Sequence, residues 1–265
     1  MTTASGTAAV PAARARFTDR TALVSGAGSG IGRTVALALA AEGARVVVAG
    51  RRPEPLQETV ALIEERGGKA LAVPADVSRA ADAEALVAAA VDHFGSLDVA
   101  VNNAGILKGG AVADLPEEDW HAQLAVNVTG VFLALQAQVR RMRTQPSGGA
   151  IVNVSSTLGP HSASPGVAAY AATKAAVTAL SRGAALDHIR DGVRVNAVSP
   201  GATATQMSLR PGESEADRAE RARATLPLGR VSATEEVAAA ILYLASDEAA
   251  SLVGTDLVID SGASL

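Results

Sequence analysis

The stretch Ser25-Gly26-Ala27-Gly28-Ser29-Gly30-Ile31-Gly32 joins an apolar run to a segment with helical periodicity. The run Thr21–Ser25 predicts a buried strand, and Ile31–Glu42 predicts the helix that follows it. Glycines allow the backbone of such a turn to approach a pyrophosphate, whose charge the helix N-terminus stabilises. The spacing departs from G-x-G-x-x-G, and a glycine-rich turn is often only a tight loop. Its position between the first strand and the first helix favours a dinucleotide-binding turn, with contacts predicted at Gly26, Ser29, Gly30, Ile31 and Gly32.

The alternation of short β-branched runs with longer Ala/Leu segments continues to the end of the chain. Most runs are continuously apolar, as in strands that are covered on both faces. We therefore predict an α/β fold: a Rossmann-like, doubly wound sheet of seven mostly parallel strands with helices on both faces. The predicted strands are Thr21–Ser25, Arg45–Ala49, Ala70–Val73, Val99–Asn102, Ala150–Val154, Arg194–Val198 and Asp256–Ile259. The predicted helices are Ile31–Glu42, Pro53–Arg66, Ala80–Phe94, Glu117–Arg143 with a break, Val167–Ile189 and Glu235–Ala245.

The chain shows no Pro/Gly/Ser-rich linker, so residues 17–265 are predicted to form a single domain. The first 16 residues are rich in Ala, Thr and Ser, and they predict a disordered N-terminal tail and not a signal peptide. One charged stretch, 203–226, interrupts the alternation after a predicted strand. Such a loop borders the ligand crevice of a parallel sheet. We predict a substrate-side lid there, with a solvated surface helix as the alternative.

The composition of the 265 residues excludes several classes of function. The absence of cysteine rules out disulfide scaffolds, thiol nucleophiles, iron–sulfur clusters and cysteine-based zinc sites. A net charge of −4 and an aromatic content of 2% give no reason to expect a nucleic-acid partner. The four histidines are scattered, so no metal site is predicted. No uninterrupted apolar run approaches about 18 residues, so we expect no membrane partner and a cytoplasmic location.

Two arginines follow the second predicted strand, where the adenosine end of a dinucleotide would lie. A carboxylate about 20 residues beyond the glycine turn would bind the ribose hydroxyls and select NAD. Here the strand instead runs into Gly50-Arg51-Arg52, without an acid. Guanidinium groups suit a 2′-phosphate by charge and by geometry. Arg51 and Arg52 therefore favour NADP as the cofactor, although solvated arginines that open a helix would leave NAD possible.

One lysine stands alone in a long uncharged segment. Between Arg143 and Arg182 the only formal charge is Lys174, and Tyr170 precedes it by one helical turn. A neighbouring ammonium favours the phenolate, so we expect it to lower the pKa of Tyr170. A tyrosine with a lowered pKa can transfer protons near neutral pH. Upstream, an apolar strand ends in the hydroxyls Ser155-Ser156-Thr157, at a strand end where ligands bind.

These motifs, in this order, resemble those of the short-chain dehydrogenase/reductase (SDR) family over Thr21–Leu265, with Ser25 in place of the usual threonine. The resemblance implies a catalytic tetrad and a set of cofactor contacts. The implied tetrad is Asn127, Ser156, Tyr170 and Lys174. The implied cofactor contacts beyond the glycine turn are Asp76 and Val77 at adenine, Asn103, Ala104 and Gly105 after the fourth strand, Tyr170, Lys174, and Pro200, Gly201, Thr203 and Thr205 beside nicotinamide. The further matches are Leu226-Pro227-Leu228-Gly229-Arg230 and Asp260-Ser261-Gly262.

The serine of this implied tetrad needs a choice. The family usually places it thirteen residues before the tyrosine, where this chain has Thr157. Alignment on the strand end selects Ser156 and assigns one inserted residue to the following loop, because loops absorb insertions. Ser155 and Thr157 remain alternatives. The inserted loop contains His161, which either faces the substrate or is merely exposed.

The resemblance implies NADP(H)-dependent reduction of a ketone or aldehyde by hydride transfer, with Tyr170 as the proton donor. In that chemistry Ser156 binds the carbonyl oxygen, Lys174 lowers the tyrosine pKa and holds the nicotinamide ribose, and Asn127 positions a relay water. The alternatives are an NAD-dependent dehydrogenase of a secondary alcohol or sugar, and a non-catalytic dinucleotide-binding sensor. The substrate should be a small neutral molecule, because the segments expected to border it hold no fixed cation. Alanine-rich helix faces and the resemblance both favour a homotetramer, or a homodimer.

Overall fold

Seven strands form one sheet in the computed structural model, which describes residues 15–265. The strands are β1 (Thr21–Ser25), β2 (Arg45–Gly50), β3 (Lys69–Pro74), β4 (Val99–Asn102), β5 (Gly149–Val154), β6 (Val193–Pro200) and β7 (Asp256–Ile259). Their order is β3-β2-β1-β4-β5-β6-β7, and all six neighbouring pairs are parallel. The predicted seven-stranded, doubly wound sheet is therefore confirmed.

Eight α-helices connect the strands across residues 15–265. They are α1 (Gly30–Ala41), α2 (Pro53–Glu64), α3 (Ala80–Phe94), α4 (Glu117–Gln123), α5 (Gly130–Met142), α6 (Ala168–His188), α7 (Glu215–Thr225) and α8 (Thr234–Ala245). A six-residue π-helix, Leu124–Thr129, joins α4 to α5. It is the break expected within Glu117–Arg143.

The core lies on both faces of the sheet, and this explains the continuous apolar runs. Val46 and Val48 of β2 pack into the cluster that includes α1 and α8, whereas Val47 packs into the cluster on the opposite face. Successive side chains of a strand point to opposite faces, so a strand that is covered on both sides needs apolar residues at every position.

The charged stretch 203–226 contains both a loop and a helix. A short 3₁₀ turn, Gln206–Ser208, follows β6, and α7 then runs from Glu215 to Thr225. Ser214 caps α7, because its hydroxyl accepts a hydrogen bond from the Asp217 N–H and the Asp217 carboxylate accepts from Ser214 in return. The stretch is thus largely helical, and it borders the cleft described below.

The described chain begins before the predicted end of the tail. Residues 1–14 of that tail lie outside the described residues. The guanidinium of Arg16 pairs with Glu42 at 2.6 Å, and Phe17 is fully buried. The division into a tail and one domain otherwise remains a prediction.

One helical stretch, Glu117–Met142, is long and apolar enough to cross a membrane by length and composition. This is weak evidence, because the packed core helix of a soluble protein meets the same criteria. Val131, Leu135 and Met142 of this stretch lie in the core against α3 and the sheet. The expectation of no membrane partner remains a prediction.

Candidate active site

A cleft of about 1130 Å³ opens along the carboxyl ends of the strands. Its glycine turn follows β1, at the point where the strand order reverses between β1 and β4. Ligands of open α/β sheets bind at such a switch point. Nearly all the predicted site residues line this cleft: Gly26, Ser29, Gly30, Ile31, Arg51, Arg52, Asp76, Val77, Asn103, Ala104, Gly105, Ser156, Tyr170, Lys174, Pro200, Gly201, Thr203 and Thr205. Gly32 and Asn127 do not line it. Gly32 lies behind the glycine turn, and Asn127 lies behind Ile106 of the cleft wall.

The glycine turn has the geometry of a phosphate cradle. Gly26 and Gly30 have φ values of +66° and +51°, which side chains rarely adopt. A Cβ on Gly32 would lie 2.3 Å from the Gly26 carbonyl oxygen, so Gly32 lets α1 approach the turn. The Ser29 hydroxyl makes no capping bond to α1. A helix N-terminus with a free serine hydroxyl and a cradle closed to side chains fits a dinucleotide pyrophosphate.

Ser25 and Asn103 tie this turn to the segment that follows β4. The Ser25 hydroxyl oxygen accepts hydrogen bonds from the N–H groups of Asn103 and Ala104, at 3.1 and 3.2 Å. The Asn103 side-chain amide donates back to the carbonyls of Ser25 and Gly26, at 3.1 and 3.3 Å. The serine that replaces the usual threonine thus supplies the acceptor that holds both loops together.

The adenosine end of the cleft carries two exposed arginines. Among residues 15–265, neither Arg51 nor Arg52 has a hydrogen-bonded or ion-paired partner. Asp76 lies near Arg51, and its Oδ1 accepts hydrogen bonds from the N–H and the hydroxyl of Ser78, at 3.0 and 2.7 Å. These bonds, and to a smaller extent the charge of Arg51, lower the pKa of Asp76. The end of the cleft therefore presents two guanidiniums without hydrogen-bond or ion-pair partners among residues 15–265 and an oriented carboxylate.

The segment after β6 crosses back to the glycine turn. The Thr205 methyl group lies 3.2 Å from the point where a Cβ on Gly30 would stand, so little space separates the two loops there. Thr203 is buried, and its hydroxyl donates to the Gly201 carbonyl at 3.1 Å. Arg218 of α7 fixes this segment by donating to the Thr205 carbonyl at 2.9 Å. Arg218 is a supporting residue that the sequence analysis missed, because its charge suggested a solvated face.

The three hydroxyls after β5 have different partners. The Ser156 side chain acts on the Tyr170 hydroxyl in the cleft and lowers its pKa. The Ser156 hydroxyl also lies 3.5 Å from the Pro200 carbonyl and accepts the Leu158 N–H at 3.1 Å. Ser155 faces α6 instead, where its hydroxyl donates to the Lys174 carbonyl at 2.8 Å and meets Thr178 at 3.0 Å. Ser155 and Thr157 also line the cleft. Ser156 is thus the hydroxyl of the three that is placed against the tyrosine.

Burial dominates the electrostatics of Tyr170 and Lys174. It raises the pKa of Tyr170 to about 12, and the hydrogen bond with Ser156 opposes this only in part. Burial also lowers the pKa of Lys174 to about 8. The expectation that Lys174 lowers the pKa of Tyr170 is therefore wrong for this structure. The lysine Nζ lies 5.7 Å from the centre of the tyrosine ring and donates to the Val154 carbonyl at 2.8 Å.

Asn127 is fully buried in the π-helix behind the cleft wall. Its Nδ2 donates to the Ile106 carbonyl at 2.9 Å and to the Thr173 hydroxyl at 3.0 Å, and its Oδ1 accepts the Ile106 N–H at 2.9 Å. Both amide hydrogens are thus committed. A Cβ on Gly105 would lie 3.3 Å from Asn127 Oδ1 and 3.4 Å from Lys174 Nζ. Asn127 and Lys174 therefore converge on Gly105, where both side chains would crowd a Cβ.

Gln123 lies one helical turn before Asn127 and, like it, accepts a backbone N–H of the segment that follows β4. Its Oε1 accepts the Lys108 N–H at 3.0 Å, so the two amides hold alternate residues of the segment after β4. Gln123 is fully buried, and its Nε2 has no partner among the described residues. The sequence analysis missed Gln123, although its spacing of four residues from Asn127 was a readable signal.

The substrate side of the cleft combines apolar and hydroxyl groups, namely Leu107, Leu158, Ser162, Ser164, Met207 and Leu226. Arg221 of α7 also lines it, contrary to the expectation of no fixed cation. Glu213 neutralises Arg221 through hydrogen bonds of 2.6 and 2.8 Å.

His161 does not line the cleft, and its Nε2 lies 2.8 Å from Asp256 Oδ2. Residues 15–265 contain no group of three or more His, Cys, Asp or Glu residues that could hold a metal ion.

Comparison with known proteins places this site in a family. The family model described as enoyl-(acyl carrier protein) reductase matches residues 26–264. The chain belongs to the short-chain dehydrogenase/reductase family. It is similar to a 3β-hydroxysteroid dehydrogenase from Mediterraneibacter gnavus, at 40% identity over 93% of this chain and 95% of that protein. It is equally similar to a 3-oxoacyl-[acyl-carrier-protein] reductase from Synechocystis, at 40% identity over 93% and 97%.

Solved SDR structures have the same fold. The crystal structure of levodione reductase superimposes with a TM-score of 0.89 and 35% identity, and the match covers 94% of this chain and 99% of that one. This SDR chain is therefore an oxidoreductase that acts on alcohol or carbonyl groups with a nicotinamide cofactor, and the non-catalytic alternative is set aside.

Proposed function

We propose that this SDR enzyme reduces a ketone or aldehyde to an alcohol with NADPH, and that Tyr170 donates the proton. The observation that carries the proposal is that Tyr170, Ser156 and Lys174 line the same cleft, where the Ser156 side chain influences the pKa of Tyr170. Because the pKa of Tyr170 is raised, its hydroxyl is protonated at neutral pH, which is the form that reduction requires. The oxidative alternative needs the phenolate instead.

Each member of the tetrad has a distinct part in this chemistry. When bound, the nicotinamide cofactor supplies the hydride for the carbonyl carbon. Tyr170 gives its proton to the carbonyl oxygen, and Ser156 donates a hydrogen bond to that oxygen as negative charge develops on it. Lys174 uses one of its three N–H groups on Val154, which leaves two to face a ribose hydroxyl and to stabilise the tyrosinate after proton transfer. Asn127 holds Ile106 in the cleft wall through its side-chain amide. Because both amide hydrogens of Asn127 are already used, a relay water would have to donate its hydrogen bond to a carbonyl oxygen of Asn127.

The preference for NADPH rests on the adenosine end of the cleft. Arg51 and Arg52 make no hydrogen bond or ion pair with another of residues 15–265, so both guanidiniums are available to a 2′-phosphate. No carboxylate stands at the end of β2 to bind the ribose hydroxyls. The Oδ2 atom of Asp76 is left for the adenine amino group, because Ser78 occupies Oδ1.

The substrate is proposed to be a neutral, largely apolar carbonyl compound. Leu107, Leu158, Met207 and Leu226 provide apolar surface, and the Arg221 charge is already paired with Glu213. A substrate anion would have to displace this half-buried glutamate. The relatives named for a hydroxysteroid and for levodione are in keeping with an apolar, ring-shaped ketone.

A panel of ketones, aldehydes and alcohols, monitored at the nicotinamide absorbance with both cofactors, tests the proposal. We expect carbonyl reduction with NADPH at neutral pH. Tyr170→Phe should lower kcat by at least about 10³-fold while leaving the NADPH dissociation constant within twofold. Full activity in this variant would overturn the role of Tyr170, and a strong preference for NAD and alcohols would favour the dehydrogenase alternative.

We also propose that the chain assembles as a homotetramer or a homodimer. Two large apolar side chains on α5 and α6 are exposed, namely Phe132 of α5 at 48% and Leu186 of α6 at 78%. The small exposed residues Ala168 and Ala172 would let α6 approach a second copy closely. Light scattering should give a multimeric mass, and a monomer would contradict this proposal.

A further inference from the structure

Asp256, at the start of β7, carries a buried carboxylate that the proposed chemistry does not use. Its side chain is 2% exposed. The Ser199 hydroxyl donates to Oδ1 at 2.6 Å, and the Thr178 hydroxyl lies 3.2 Å from Oδ2. Within residues 15–265, the only ion-pair partner of Asp256 is His161, at 2.8 Å. Because a carboxylate only accepts hydrogen bonds, His161 Nε2 must be the donor.

His161 stands at the tip of a tight turn that directly follows the catalytic strand. The N–H groups of His161 and Ser162 both donate to the Thr157 carbonyl, at 3.0 and 2.9 Å. Gly159 is pressed onto α6, since a Cβ there would lie 2.1 Å from the Ala171 carbonyl oxygen. The turn 157–162 is therefore internally rigid, and its tip is fastened to the sheet through Asp256.

The same turn contacts the proposed reacting groups at its other end. The Leu158 N–H donates to the Ser156 hydroxyl oxygen at 3.1 Å. That bond occupies one lone pair of Ser156 and sets the direction in which its hydroxyl points. Leu158 and Ser162 also line the cleft. Any movement of the turn would thus shift both the Ser156 hydroxyl and the substrate wall.

We propose that the His161–Asp256 pair is a latch that positions Ser156 and the substrate wall for carbonyl reduction. His161 is a positioning residue, because it touches neither the cleft nor Tyr170. The proposal rests on the proposed function, in which Ser156 binds the carbonyl oxygen. The latch itself is a structural claim and can be tested without any substrate.

The first experiment measures the latch alone. Hydrogen–deuterium exchange of the full chain should show faster amide exchange over residues 157–166 in His161→Ala. His188→Ala is the matched control, because His188 pairs with Asp191 at 2.9 Å at the far end of α6, outside the cleft. Unchanged exchange over 157–166 in His161→Ala would overturn the latch.

The second experiment measures its effect on the reaction. With the best carbonyl substrate and NADPH, His161→Ala should lower kcat/KM for the carbonyl about tenfold and leave the NADPH dissociation constant within twofold. His161→Gln, whose amide can donate to Asp256, should recover part of the loss, and His188→Ala should match the wild type. If exchange rises but kcat/KM does not fall, the positioning role is wrong. If exchange rises and no carbonyl is turned over by the wild type, the proposed function fails while the latch stands.

Discussion

The Lys174 Nζ atom lies 5.7 Å from the centre of the Tyr170 ring and is held there by the Val154 carbonyl. Both groups are almost fully buried, and the pKa of Lys174 falls to about 8 while that of Tyr170 rises to about 12. At neutral pH the site therefore holds a neutral phenol beside a buried ammonium. Burial of the Lys174 ammonium costs free energy. The tyrosinate that forms at Tyr170 by proton transfer would offset this cost, because it places a negative charge beside the ammonium.

Lys174→Met should stabilise the folded chain at pH 7 and abolish turnover. The unfolded lysine keeps its proton up to about 10.5, whereas the folded one loses it near 8, so burying the charge destabilises the fold below pH 8. Removing the charge should add about 1 to 3 kcal/mol to the free energy of unfolding at pH 7, less the lost bond to Val154. The gain should shrink as pH rises from 8 towards 10.5.

Denaturant unfolding of both proteins at pH 7, 8 and 9.5 checks this prediction. Higher pH is avoided, because the ionisation of unfolded Tyr170 near pH 10 would destabilise both proteins. An unfolding free energy that differs between the two proteins by the same amount at all three pH values would contradict the lysine assignment.

Ser156→Ala and Ser155→Ala should have opposite phenotypes, although the residues are adjacent. Ser156→Ala removes the donor to the developing oxyanion, so kcat should fall about 10²-fold with little change in the melting temperature. Ser155→Ala removes a buried bond to the Lys174 carbonyl, and it should lower the unfolding free energy by about 1 to 2 kcal/mol while retaining most of the activity. Steady-state kinetics and thermal melts of the two variants separate these outcomes. A larger loss of kcat in Ser155→Ala would reverse the assignment.

Arg51→Ala should weaken the binding of NADPH without affecting the binding of NADH. Loss of one charge-assisted bond to a 2′-phosphate corresponds to about a 10- to 100-fold rise in the KM for NADPH. Kinetics with each cofactor provide the measurement. Arg143→Ala, at an exposed position beyond α5, is the control and should change neither KM. An equal effect of Arg51→Ala on both cofactors would argue against a 2′-phosphate contact.

Gly32→Ala should disrupt the glycine turn from the side that faces α1. The new Cβ would lie 2.3 Å from the Gly26 carbonyl oxygen and 2.5 Å from Asn103 Nδ2, so the backbone of the turn must move. We expect a loss of about 1 to 3 kcal/mol in the unfolding free energy and a higher dissociation constant for NADPH. Gly183→Ala is the control: this exposed glycine of α6 has no neighbour within 4 Å, and alanine should stabilise the helix by about 0.5 to 1 kcal/mol. Equal melting temperatures for the two variants would refute the close approach.

The order of elements could be predicted because it is written in local patterns. Thr21–Ser25, Ala80–Phe94, Val99–Asn102 and Asp256–Ile259 begin and end where the sequence predicted. Continuous apolar runs identify strands covered on both faces, and the glycine turn identifies the ligand edge. The lysine one turn after Tyr170 could also be placed, since residues four apart share a helix face.

The direction of the pKa of Tyr170 could not be predicted, because it depends on how deeply the folded chain buries the hydroxyl. Local spacing brings Lys174 close and suggests a lowered pKa. The surrounding strands and helices remove water from both groups, and this desolvation raises the pKa of Tyr170 and lowers that of Lys174.

The sequence by itself determined the strand order of appearance, the glycine cradle, the candidate Tyr170–Lys174 pair and the family resemblance, because each depends on residues close together along the chain. Only the tertiary structure decided which hydroxyl faces the tyrosine: Ser155 and Ser156 point to opposite sides at the end of β5, one to α6 and one to the cleft. Only the tertiary structure joined His161 to Asp256, which lie 95 residues apart. Such pairings are made by the packing of the sheet, and no local pattern encodes them.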